Sequence, residues 1–150
     1  MERKKALVYT LVYLLLLLAL RFVKVREVMV ADLLILVGGV LGIRALDRES
    51  RLMSFLGHSA DKPVLRNVLC QVTLVALAFY VATSTVSLFS MGLVLGILVR
   101  TLIEQYLGLQ GVGDLSSWFW FFGGRLALRF QKGYLAILGL LTFWVSWIST

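Results

Sequence analysis

Histidine, cysteine and proline are each represented once, by His58, Cys70 and Pro63, and charged residues make up only 15% of the chain. One cysteine excludes an intrachain disulfide. Cys70 lies in an apolar run and reads as a small hydrophobe. One histidine excludes the Cys/His clusters that hold zinc. His58 stands in a polar linker beside Gly57 and Ser59, where it reads as a surface residue rather than a ligand. Phosphate-binding glycine loops and the Gly-x-Ser-x-Gly nucleophile elbow are absent as well. No cofactor and no metal are therefore expected. The serines and threonines at Thr83, Ser84, Thr85 and Ser87 have no base placed to activate them and read as a polar turn.

Hydrocarbon fills the space left by these absences. The 150 residues are 60% apolar, and the mean hydropathy is +0.92. A soluble domain of this size is about half apolar and has too small an interior to hide more. The expected solvent for the excess is lipid. The expected class is an all-α integral membrane protein: one domain, a bundle of about five transmembrane helices with one or two interfacial helices. Crossing a hydrocarbon core roughly 30 Å thick takes about 20 apolar residues. Five stretches meet or approach this, at 6–23, 28–45, 64–84, 86–107 and 133–148. The first is apolar all round, shows no buried face, and reads as an uncleaved span because no small-residue cleavage site follows it. Asp61 and Pro63 suit the start of the third.

Two linkers carry structure of their own. Residues 46–62 place Leu52, Met53, Phe55 and Leu56 at near-helical spacing among charges, which predicts a short helix lying on the membrane surface. Residues 108–132 contain the block Trp118 to Phe122, too short to span. Trp118 and Trp120 are expected at the headgroup boundary, with Arg125, Arg129 and Lys132 on one side of an interfacial or re-entrant segment.

The net charge of +7 fits basic residues facing anionic headgroups, and no basic stripe with exposed aromatics points to nucleic acid. With the N-terminus in the cytoplasm, Arg3, Lys4, Lys5, Arg44, Arg48, Arg51, Lys62, Arg66, Arg125, Arg129 and Lys132 fall inside, against Arg21, Lys24 and Arg26 outside. This bias predicts a multi-pass protein of a bacterial cytoplasmic (inner) membrane with its C-terminus outside.

Ionisable residues within spans are the first candidates for function, because each is costly in lipid unless paired. They are Asp32, Arg44, Arg100 and Glu104. Arg100 and Glu104 are four apart and share one helical face. They read either as a self-neutralising pair, with Arg100 snorkelling, or as a polar site facing a cavity. Asp32 reads as a solvated residue near a helix start. Gly38 with Gly42, and Gly92 with Gly96, allow close helix approach, either within one bundle or across a homodimer seam.

The layout resembles small bacterial inner-membrane proteins known as membrane-bound metal-dependent hydrolases, the LexA-regulated inner-membrane hydrolase group, over about residues 28–122. Gly42-Ile43-Arg44-Ala45-Leu46-Asp47 stands where that family has an Asp-rich Pro-Asp-x-Asp-His motif, and keeps one aspartate. Arg66-Asn67-Val68-Leu69 stands where a His-Arg-x-x-Thr-His-Ser motif opens a span, and keeps no histidine. The stretch from Gly96 to Glu104 matches the spacing of Gly-x-x-x-His-x-x-x-Asp, with Arg100 for His and Glu104 for Asp. Trp120-Phe121-Phe122 echoes a Trp-Pro-Phe-like segment. The missing histidines imply a degenerate member whose metal site is lost, with Arg100 pairing Asp47 and Glu104. The expected function is a non-catalytic scaffold, partner subunit or lipid-binding module. Its partners would be the bilayer and either a second copy or another membrane protein. The alternatives are a membrane-bound metal-dependent hydrolase keeping weak activity through Asp47 and Glu104, with Arg100 a further candidate, and a small transporter or channel subunit.

Overall fold

The computed structural model describes residues 2–24, 30–55, 66–84, 87–111, 113, 115–122 and 126–149. Every regular element among them is helical: α1 (Glu2–Lys24), α2 (Val30–Phe55), α3 (Val68–Thr83), α4 (Leu88–Gly111), a 3-10 helix (Ser116–Phe122) and α5 (Leu128–Ser149). Each long helix falls on one of the five apolar stretches. Leucine, alanine and methionine hold helix propensity high. Among the described residues, an Asn67 cap precedes α3 and Gly113 follows α4.

Several boundaries differ from expectation. Residues 46–55 form no separate surface helix. They continue α2, because Leu46 and Glu49 are buried and keep the helix in register with the bundle. The third helix starts at Val68 rather than at Pro63. Asn67 takes extended backbone angles and its side chain accepts from Leu69 N at 3.1 Å, which satisfies an orphan donor of the first turn. Asp61, Pro63 and His58 lie outside the described residues. At the end of α4, Gly113 adopts a left-handed φ of 73° that turns the chain away. The fifth helix begins five residues before the expected span, so Arg129 and Lys132 sit in its first turns.

α4 runs through the centre. Residues 94–101 of this helix are buried without interruption, and α3, α5 and above all α2 pack around it. The α2–α4 contact is made by backbone. A Cβ added at Gly38 would lie 2.2 Å from the Phe89 carbonyl oxygen, and one at Gly42 2.2 Å from that of Leu93. From the other side, a Cβ at Gly92 would meet the Ile35 oxygen at 2.1 Å and one at Gly96 the Gly39 oxygen at 2.2 Å. All four glycines of the two small-residue pairs therefore lie against the backbone of the opposing helix inside one chain. Gly39 points the other way and makes room for the Tyr13 ring.

α1 has a buried face after all. Tyr9 and Tyr13, one turn apart, turn inward, and the Tyr13 hydroxyl donates to the Ile35 carbonyl at 3.1 Å. Leucine runs on every side hid this face, which tyrosine marks. Among the described residues, α4 is the one helix long and apolar enough to cross a membrane. Val8–Ala19, Leu33–Leu46 and Val68–Thr83 are shorter apolar stretches.

Gly96→Ala places a methyl against the backbone of α2, and separating the helices is expected to lower stability by about 1–3 kcal/mol. Gly139→Ala, where a Cβ meets open space, is expected to raise it by about 0.4–1 kcal/mol. Equilibrium unfolding of the purified variants measures both, and equal stability of Gly96→Ala and the parent would refute the close approach.

Candidate functional site

Four polar residues of α4 form two adjacent stripes, Arg100 with Glu104 and Thr101 with Gln105. Each pair is separated by four residues and so shares one side of the helix. Both stripes are turned inward: Arg100 is 4% exposed, and Thr101 and Gln105 are fully buried.

The first stripe joins α4 to α2 and to the residue preceding α3. Arg100 Nε donates to Glu104 Oε1 at 3.0 Å, and its Nη1 donates to the Ile43 carbonyl of α2. The guanidinium carbon lies 5.2 Å from the centre of the Tyr9 ring, close enough for the ring face to stabilise the cation. Arg100 therefore does not snorkel outward. It is enclosed by a carboxylate, a carbonyl and an aromatic face. The far oxygen of Glu104 lies 3.1 Å from Arg66 Nε. That contact is an ion pair without hydrogen-bond alignment, and Arg66 Nη2 donates weakly to Glu104 Oε1 at 3.5 Å. Glu104 is thus held between two arginines.

The second stripe joins α4 to α3 and α5. Gln105 Nε2 donates to Gln71 Oε1 at 2.8 Å, and the Tyr134 hydroxyl donates to the same oxygen at 2.7 Å. Two donors saturate the lone pairs of that oxygen and fix the orientation of the amide. Gln71 Nε2 and Gln105 Oε1 remain without a hydrogen-bond partner in the protein.

A third polar residue organises the linker. Gln131, 1% exposed, accepts from Leu115 N at 2.8 Å and donates to the Leu126 carbonyl at 2.9 Å. It clasps both ends of the segment that carries the aromatic block. Within that segment Leu115, Trp118 and Phe119 are buried and cluster with Val68, and Phe119 meets Tyr134 edge to face at 5.3 Å. Trp118 is thus packed into the protein, since the clasp folds its segment back over the helices. Arg129 and Lys132 are exposed. Arg125 lies outside the described residues, as does the side chain of Trp120.

Of the other expected site residues, Arg44 is exposed on α2. Asp32 and Asp47 stand on the same helix, but their side chains lie outside the described residues, and so does the suggested Asp47–Arg100 contact. Among the described residues, no three His, Cys, Asp or Glu side chains come together. Gln71, Gln105, Gln131 and Tyr134 carry no charge and belong to no motif, so the sequence did not single them out. Their signal was available: an amide in an apolar helix needs a partner as a charge does, and Gln105 stands one turn from Thr101. Comparison with protein families, curated proteins and solved structures finds no match to this chain.

What this centre can do chemically is hold helices in register. Arg100→Ala is expected to cost about 3–5 kcal/mol, the range for breaking a buried ion pair. Arg66→Ala, whose side chain is 35% exposed, is expected to cost about 1 kcal/mol or less. Denaturant titrations of the two variants would give this order, and the reverse order would show that Glu104 depends on Arg66 instead.

Proposed function

We propose that the chain is a multi-pass inner-membrane protein whose bundle serves as a non-catalytic scaffold in contact with lipid. The observation that carries this reading is an inverted distribution of polarity. On α5 the inward positions include Gln131, Thr142 and Ser146, while Phe130, Ile137, Leu140, Phe143 and Trp144 are exposed. Thr142 and Ser146 each donate to the carbonyl four residues back, at 2.8 Å, so their hydroxyls are satisfied without water. α3 repeats the pattern, with Gln71 inside and Leu69, Val72, Leu77 and Tyr80 outside. α1 and α2 expose Leu11, Leu15, Leu18, Leu33, Leu34 and Leu41. Apolar patches beyond a few hundred Å² are rare on soluble monomers, whereas in lipid such faces meet their own solvent.

The two ends of the bundle differ. Arg44, Arg48, Arg66, Arg129 and Lys132 belong to the half of the bundle that carries Arg100 and Glu104. In the other, Phe79 and Trp144 meet edge to face at 6.0 Å, with Tyr80 and Trp147 nearby on the same helices. The basic end suits a cytoplasmic face, and aromatic residues stand toward both ends, as at the two boundaries of a membrane. The scaffold reading rests on the polar centre, where Arg100 and Glu104 are engaged with each other and with neighbouring helices. In the resemblance to the hydrolase group, Arg100 replaces the histidine of the third motif and Glu104 its aspartate, which makes a structural ion pair of a former ligand set.

Alkaline carbonate washing is expected to leave the chain in the membrane fraction. In intact cells an impermeant maleimide should label Trp147→Cys and spare Arg44→Cys in a Cys70→Ala background. Release by carbonate would sink the membrane reading. Purified protein is expected to carry substoichiometric metal, and stoichiometric zinc or manganese would restore the hydrolase reading.

One observation favours a small transporter or channel subunit as a second reading. Gln71 Nε2 and Gln105 Oε1 present an unpartnered donor and an unpartnered acceptor deep in the bundle. Liposome flux separates the two readings. The scaffold gives none above protein-free vesicles, and flux lost in Gln105→Leu would favour the transporter.

A further inference from the structure

The basic end of the bundle also carries a groove that the polar centre does not use. It lies between α4 and α5 and encloses about 420 Å³, within the size range of small-molecule sites. Leu102, Ile103 and Tyr106 line it from α4, and Lys132, Leu135 and Ala136 from α5. The walls are almost wholly hydrocarbon, and Tyr106 and Lys132 are the two lining residues whose side chains carry a polar group. The helices run antiparallel, because Gln131 clasps the linker joining the end of α4 to the start of α5. Ascending numbers on α4 therefore face descending numbers on α5, and Tyr106 and Lys132 lie toward the same end of the groove.

We propose that this groove binds one acyl chain of an anionic phospholipid of the cytoplasmic leaflet, with Lys132 and Tyr106 on the headgroup phosphate. The inference rests on the membrane reading above. Charge selects the occupant. A basic pocket at the cytoplasmic mouth of a helix pair attracts anionic headgroups, and Arg129, exposed one turn before Lys132 on α5, adds a second cation on that side. Tyr106 is poised to donate. Gln110 Nε2 donates to its oxygen at 2.6 Å, so the phenolic hydrogen points to a different acceptor, and a phosphate oxygen supplies one. The chain-binding part is built from Leu102, Ile103, Leu135 and Ala136, whose hydrocarbon offers nothing to a polar ligand. A zwitterionic lipid would fill the same hydrocarbon groove but would gain less from the two cations.

Native mass spectrometry of the full chain tests this, with phosphatidylglycerol and phosphatidylethanolamine of matched acyl chains. The parent is expected to retain one phosphatidylglycerol in preference to phosphatidylethanolamine. Lys132→Gln should reduce that preference about fivefold, the effect of one cation near an anionic surface, and Lys132→Arg should keep it. Ala136→Trp, at an exposed position of α5, should block the groove and lower retention of both lipids. Lys132→Gln is a surface change, so it remains informative if Ala136→Trp fails to fold. Preference unchanged in Lys132→Gln overturns the proposal, and so does a dimer that excludes lipid from this face. A chain that resists carbonate extraction yet shows no lipid preference refutes the lipid site alone. A chain released by carbonate refutes the membrane reading together with it.

Discussion

The approach of α2 to α4 through their glycines sets everything else in place. At Gly38, Gly42, Gly92 and Gly96 the two backbones come nearer than any side chain would allow. That distance puts the Ile43 carbonyl within reach of Arg100. A bulkier seam would leave the guanidinium short of its acceptor and α4 with an unmatched buried donor. In a membrane, as proposed above, the association would draw little on the hydrophobic effect. Packing of small residues and the hydrogen bonds it permits can hold helices together where the solvent is as apolar as the side chains. The tight seam and the polar centre are therefore one device: the first sets the spacing that the second requires.

Around this pair the other helices are attached by single polar residues with several partners each. Gln71 of α3 receives donors from α4 and α5. Glu104 receives Arg66 from the turn before α3. Gln131 of α5 secures both ends of the linker that brought α5 back. Such contacts are directional, so they select one rotation of each helix where apolar packing would accept several. Two amide atoms, one on Gln71 and one on Gln105, are left over. They mark the place where the network has capacity that the protein itself does not use.

The order and approximate limits of the five helices were legible in the sequence, because long apolar runs broken by charges have one ready interpretation. The glycine pairs and the Arg100–Glu104 spacing were also readable, since both follow from helical geometry alone. What these elements face was not. Nothing local distinguishes a glycine seam within a chain from one between two chains. The buried face of α1 was invisible among leucines of equal hydropathy, and only Tyr9 and Tyr13 carry it. The fate of the aromatic block was hidden for a similar reason. Trp118 suits a boundary by its chemistry, and its burial depends on a hydrogen bond from Leu115 to a glutamine 16 residues further on. Long-range partners decide such cases, and uncharged amides supplied most of them here.

That Arg100 and its carboxylate stand on the same helix has a bearing on biosynthesis. An arginine delivered alone to the middle of a bilayer costs about 2.5–3.5 kcal/mol on insertion scales. In a bundle inserted into a membrane, as proposed above, the counter-ion one turn away along the same segment would let α4 enter the bilayer as a nearly neutral cylinder before α5 has been made. Ile43, already synthesised, waits on an earlier helix, and Arg66 has also emerged. Assembly can therefore proceed in the order of translation, with each new segment finding its polar partner either within itself or behind it.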